Sequence, residues 1–173
     1  MNNKLIFTAS CVMLACMLLV GCSKHDSDNT VDLTLGEIVE KLYDNVDVPP
    51  YEIVSLDETN FEYFAFVPYD KDLSAVAADA LVNITPHSVV VIRSEQGNGA
   101  KLASSVAANA DLNKWLCVGS EVGAVAYTDH YVVLIMSEKD IVNAIAENFK
   151  SLAKDLDGTD MSLLALANSR YEQ

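Results

Sequence analysis

The chain opens with a sixteen-residue uncharged, mostly apolar run from Leu5 to Val20, and only past Leu33 does its hydrophobicity become periodic. Thr34-Leu35-Gly36-Glu37 has the spacing of a capping box, in which a threonine hydroxyl and a glutamate three residues on each accept a free backbone N–H of the other's segment. Ile38, Leu42 and Val46 then recur on one helical face, so a helix is predicted from Thr34, closed by Pro49-Pro50. A second short element begins near Asp57. Phe61, Phe64 and Ala65 have helical spacing there, the run Phe61-Glu62-Tyr63-Phe64 reads equally as extended, and Pro68 ends either version.

The pattern that follows is a repeat. ITPHSVVVIRSE (84–95) and YTDHYVVLIMSE (127–138) are identical at seven of twelve positions, 43 residues apart. In each copy an apolar segment, Ala80 to Ile84 or Val122 to Tyr127, runs into a turn-forming pair, then a β-branched strand, then Ser-Glu opening a helical pattern. The second helix is the clearer, with Ser137 as N-cap, Asp140 three residues on, and Ile141, Ile145, Phe149, Leu152 and Leu156 along one stripe. The first begins near Asn98. Two ββα units predict an α+β fold: a four-stranded, largely antiparallel sheet with helices packed on one face, preceded by one or two short helices. The second strand of each hairpin is apolar at nearly every position and is expected to be the most buried. Valine-rich hairpins resemble one another by composition, so internal duplication and convergence both stay open.

The leading segment carries chemistry of its own. Met1 to Lys4 bear one positive charge, the apolar run follows, and Leu19-Val20-Gly21-Cys22 spells a lipobox. The Cys22 sulfur is the nucleophile that takes a diacylglyceryl group, and small Gly21 gives signal peptidase access to the bond between them. A membrane-spanning helix would need roughly 20 apolar residues, and a plain secretory signal has no use for a cysteine there. Residues 1–21 are thus expected to be a lipoprotein signal peptide and Cys22 the lipidated first residue of a protein held on the extracytoplasmic face of the cell membrane. Two or three acyl chains make such anchoring stable where one does not. If the host has two membranes, Ser23 permits outer-membrane sorting.

Residues 22–33 (CSKHDSDNTVDL) are polar and poor in large apolar groups, which predicts a flexible tether reaching on the order of 35 Å. A single α+β domain over 34–158 and a short C-terminal helix or tail over 159–173 complete the organisation, since the length admits one ordinary domain. Cys11 and Cys16 leave with the signal and Cys22 is acylated, so Cys117 has no partner within the chain, and its setting after Trp115-Leu116 reads as a buried, inert thiol. All 25 acidic residues and ten of the eleven basic ones lie beyond the leader, making the mature chain one unit more negative than the −14 of the whole. That charge opposes nucleic acid and anionic headgroups and favours solubility or a cationic partner.

The layout over roughly Leu35 to Lys150 resembles the small bacterial lipoproteins of domain-of-unknown-function family 4358. The likeness rests on the lipobox, an early helix, a valine-rich strand such as Ser88 to Ile92 before a long helix, and above all Tyr127-Thr128-Asp129-His130-Tyr131-Val132-Val133-Leu134-Ile135-Met136-Ser137-Glu138 leading into a terminal helix. Pro86-His87 in the first turn is less typical. The resemblance implies fold and localisation, and it carries no catalytic residue with it.

Asp155-Leu156-Asp157-Gly158-Thr159 spells the nucleophile motif of haloacid-dehalogenase-type phosphatases, but an amphipathic helix with lysine precedes it where a buried strand is needed, and too little chain follows for that domain. As a calcium loop it lacks the downstream bidentate glutamate, so an acidic helix end with Gly158 as C-cap is the better account. His87 and His130 stand at equivalent hairpin turns and are the candidate metal ligands, though two imidazoles are an incomplete set and turn residues are commonly solvated. Gly97-Asn98-Gly99 looks like a turn before a helix rather than a phosphate loop.

No catalytic constellation stands out and no cofactor is implied. The expectation is a non-catalytic binding or scaffold module of unknown ligand, with the bilayer as its first partner through acylated Cys22. Two alternatives are carried forward: an accessory or inhibitory subunit of a membrane complex, for which an exposed apolar patch would speak, and a small cell-envelope hydrolase, which needs a cleft with convergent ionisable groups.

Overall fold

The computed structural model describes residues 31–166; Gly21, Cys22, the rest of the leader and the tail from residue 167 lie outside the described residues. The elements run α1 (Leu35–Leu42), β1 (Tyr51–Leu56), α2 (Phe61–Ala65), β2 (Leu73–Ala80), β3 (Ser88–Ser94), α3 (Gly99–Asn109), β4 (Val122–Tyr127), β5 (Tyr131–Ser137), α4 (Lys139–Asp157) and β6 (Ser162–Ala165). The strands form one antiparallel sheet in the order β1-β2-β3-β5-β4-β6. The α+β class is as expected, with six strands where four were predicted.

The centre of the sheet goes to the strands that are apolar on both sides, because only there are both faces covered. Every residue of β5 is buried, as is all of β3 except Arg93. Val89, Val91, Val133 and Ile135 pack with Ile38, Val39 and Leu42 of α1 and with Ile145 and Phe149 of α4. Val90, Ile92, Val132 and Leu134 face the other way, onto Phe61 of α2 and Ala103 and Val106 of α3. Helices therefore cover both faces, which corrects the expectation of one. At roughly 25 cal/mol per Å² of apolar surface, two complete layers bury more of the chain than one could.

The two-faced arrangement also answers the question of duplication. In the β3–β5 pairing Val90 lies opposite Leu134, so those two share a face, whereas Val133, the sequence equivalent of Val90, looks to the other side. Each faces the helix that follows its own strand. A rotation exchanging the pairs β2-β3 and β5-β4 within one sheet would leave its two faces in place and put both helices on the same one. Here α3 and α4 lie on opposite faces, so the two ββα units have opposite hands and cannot be superposed.

Four boundaries differ from expectation. The first helix ends at Leu42, short of Val46 and of Pro49-Pro50. The strand before the first repeat is Leu73–Ala80, and Leu81 to His87 is a loop in which Leu81, Val82 and Ile84 are exposed. LSAVAADA is alanine-rich and carries little β-branched signal, yet its small side chains suit a strand pressed from both sides. Within Met161 to Arg170, expected as a helix, the described residues instead add the edge strand β6 against β4. The N-cap of α4 is Glu138, not Ser137. The capping box of α1 forms as read, with the Thr34 N–H donating to Glu37 Oε2 at 2.8 Å and the Glu37 N–H to Thr34 Oγ1 at 3.3 Å. Among the described residues no helix is long and apolar enough to cross a membrane.

Candidate functional site

The β3–β5 register creates two corners, because strands paired Ser88 to Met136 and Arg93 to Tyr131 bring His87 beside Ser137 at one end and His130 beside Ser94 at the other. The seven-residue strands separate the two histidines by about 23 Å. They do not converge, and among the described residues no group of three or more His, Cys, Asp or Glu side chains is set to hold a metal ion.

His87 is fully buried, a correction to its expected place on the surface. The Tyr43 hydroxyl, delivered by the C-cap of α1, lies 2.8 Å from Nε2, and Ser137 Oγ lies 3.0 Å from Nδ1. Both ring nitrogens are thus engaged, one donating and one accepting in the neutral form. Burial lowers the His87 pKa to about 4, with Asp79 opposing and Lys114 adding to the effect. The hydroxyl–imidazole contact of Ser137 and His87 has the atoms of a nucleophile–base pair. Both side chains are covered, and Tyr43 occupies the second ring nitrogen, so the contact closes the sheet end.

On the other face of this end stands Lys114, from the loop between α3 and β4. Its side chain is only 4% exposed. Its ammonium donates to Asp79 Oδ2 at 3.0 Å and to Ser88 Oγ at 2.9 Å, and it lies 5.0 to 5.7 Å from the ring centres of Phe64, Trp115 and Tyr63. Burial pushes its pKa down, partly offset by Asp79. Asp79 and Ser88 are register partners flanking the 81–87 loop, so one ion pair, buried at Lys114 and part-exposed at Asp79, clasps two loops together. Neither Lys114 nor Asp79 nor Tyr43 was marked in the sequence, where the sole faint signal was a lysine set between Leu112 and Trp115-Leu116. Cys117, expected to be buried, is exposed beside Leu116 in this same loop.

The His130 corner is open. His130 Nδ1 donates to the Ser94 carbonyl at 2.9 Å, and the ring lies against Gly97, where a β-carbon would come within 3.2 Å of Cε1. Arg93, Glu95, His130, Tyr131 and Asp157 line a groove of about 380 Å³. Asp157, the second aspartate of the phosphatase-like motif, accepts the His130 N–H at 3.0 Å and the Thr159 hydroxyl at 2.6 Å. Burial raises its pKa, but these bonds and one from Thr128 outweigh that and hold it below the usual aspartate value. Gly158 caps α4 at φ 74°, as read, so the motif serves as a helix end stapled to the β4–β5 turn. The chain enters the domain at this end, where the Val31 N–H bonds to the Asp155 carbonyl at 2.6 Å.

Comparison with family models, curated proteins and solved structures returns no match.

Proposed function

We propose that this chain is an extracytoplasmic lipoprotein, anchored through acylated Cys22, whose domain serves as a non-catalytic binding or scaffold module. The observation that carries the reading is its polarity: the chain enters at the His130 end, and most of its exposed large apolar side chains lie at the other. A domain tethered by one end presents the opposite end outward. The resemblance to domain-of-unknown-function family 4358 is part of the same proposal. A second reading, an accessory or inhibitory subunit of a membrane complex, is favoured by the exposure of Leu81, Val82, Ile84 and Leu116. A hydrolase would have to work through the buried Ser137–His87 contact or the groove at His130.

The anchor is tested by Cys22→Ser in cells fed a labelled fatty acid. Loss of label and accumulation of precursor are expected; a labelled, processed variant overturns the reading.

A further inference from the structure

We propose that the His87 end is a docking surface for the basic, amphipathic face of another protein, with Lys114 as the clasp that holds its two apolar loops in a fixed arrangement. This rests on the reading of the chain as a tethered binding module and adds the surface and the chemistry of its partner. Of the nine exposed large hydrophobic residues described, five belong to this end: Tyr63, Leu81, Val82, Ile84 and Leu116, the last 92% exposed. Leu81, Val82 and Ile84 sit on the β2–β3 loop between Asp79 and Ser88. Leu116 sits two residues from Lys114, which bonds to both. Tyr63 is brought in by its ring, 5.7 Å from the same ammonium. An apolar surface whose geometry is already fixed loses little freedom when it is covered, which is what affinity requires.

Charge selects the occupant. Glu52, Glu62, Asp111, Glu121, Glu138 and Asp140 are exposed around this end, against the exposed cations Lys41 and Lys139. Lys114 is spent on Asp79. An apolar centre with an acidic rim is complementary to apolar groups set among lysines or arginines. An anionic lipid surface would be repelled, and the chain's entry at Val31 puts the tether at the far end. A second copy would present the same acidic rim.

The test uses the full lipidated chain in zwitterionic nanodiscs, with Trp115, the chain's one tryptophan, as reporter. The probe is an 18-residue tryptophan-free amphipathic helix of leucine and lysine, and the control has glutamate for lysine. The leucine–lysine peptide is expected to shift Trp115 emission saturably and to bind at least tenfold more tightly than the control. The Ile84→Ser/Leu116→Ser pair should weaken it at least tenfold, because these side chains are exposed and the fold does not depend on them; Leu163→Ser on the β6 edge should not. Equal binding of the two peptides, or indifference to the Ile84/Leu116 pair, overturns the proposal. So does an emission shift produced by protein concentration alone, by anionic vesicles alone, or by deletion of residues 167–173, which would assign the surface to a second copy, to lipid or to the chain's own tail. Lost peptide binding with normal Cys22 labelling sinks the docking surface alone; intact binding without labelling sinks the anchored reading alone.

Discussion

The two ends of the central strand pair begin from nearly the same sequence and finish in opposite environments. Thr-Pro-His-Ser and Thr-Asp-His-Tyr each deliver a histidine to the serine that ends the neighbouring strand, His87 to Ser137 and His130 to Ser94. At the His87 end Tyr43 closes over the imidazole and Lys114 fastens the loops on the other face. At the His130 end the ring lies against Gly97 with Asp157 holding the His130 N–H, no described element closes over it, and a groove remains. A local repeat sets which residues meet. Elements from elsewhere in the chain decide whether water is shut out.

The contrast is most sharply broken at the Lys114–Asp79 ion pair. Asp79→Ala leaves the Lys114 ammonium without its counter-charge in a place that is 4% exposed. Removing one partner of a buried pair costs about 4 kcal/mol, read as the change in unfolding free energy from urea titration, and Trp115 emission should move toward the red as the loop loosens. A loss below about 1 kcal/mol, the range of an exposed pair, would mean that Lys114 is not a clasp. The pair can be replaced as well as broken: Asp79→Leu with Lys114→Met should recover most of the loss, since apolar groups of similar volume satisfy such a site.

Next in size is the pH dependence of the closed corner. With a folded pKa of about 4 against the ordinary imidazole value of 6.5, His87 stays neutral in the fold while the unfolded chain takes up a proton. The unfolded state binds more protons throughout that window, so stability falls as pH drops from 6.5 to 4, by roughly 3 kcal/mol in total, and the contribution is fully present above 6.5. Tyr43, Ser137, Asp79 and Lys114 are the groups that face the ring or act on it electrostatically. In His87→Leu that part of the slope should vanish, although the variant is less stable at pH 7 because Tyr43 and Ser137 lose a partner. A wild-type unfolding free energy that is flat between pH 4 and 6.5 would show that the corner is not dry.

These two effects mark where the sequence stopped being legible. The capping box at Thr34, the buried strands, the α4 stripe and Gly158 as C-cap could be read because each follows from residues within one turn or one strand of each other. The burial of His87 could not, because Tyr43 is 44 residues away and meets it only when α1 crosses the sheet. Lys114 and Asp79, 35 residues apart, meet across a loop and a strand for the same reason. The side on which α3 packs was hidden too: an all-apolar strand such as β3 carries no polar face to orient it. Ser137 shows local rules losing to tertiary ones, since its hydroxyl is taken by His87 and does not cap the helix that follows.

At the open end the prediction concerns space rather than charge. A β-carbon on Gly99 would run into the Thr128 carbonyl oxygen and lie 2.8 Å from that of Asp129, both backbone atoms that cannot swing aside. The Gly99 N–H bonds to the same Asp129 carbonyl, so the close approach is what joins α3 to the β4–β5 turn. Gly99→Ala should therefore destabilise by about 2 kcal/mol, the cost of forced backbone shifts, where the greater helix propensity of alanine would otherwise favour it. A stabilised variant in thermal unfolding would show that the turn is loose enough to retreat.

The smallest effect distinguishes the corners most directly. Asp157→Asn leaves one acceptor oxygen where the carboxylate offers two, Oδ2 to the His130 N–H and Oδ1 to the Thr159 hydroxyl, and it removes the charge that strengthens both bonds. Because Asp157 is only partly buried, the loss should be about 1 kcal/mol at pH 7. Its pKa lies below the ordinary aspartate value of 3.8, so the stability it supplies is present above that value and disappears as pH falls below it. The two ends therefore fail at different acidities: the closed corner weakens from pH 6.5 downward, the open one only below 3.8. Amide exchange resolves them site by site. Between pH 6.5 and 4 the protection of Ser88 should decline while that of the His130 N–H holds, and in Asp157→Asn the His130 amide alone should exchange faster. Loss of both protections together on a single acid transition would mean that the sheet opens as one unit and that the two corners differ in appearance but not in stability.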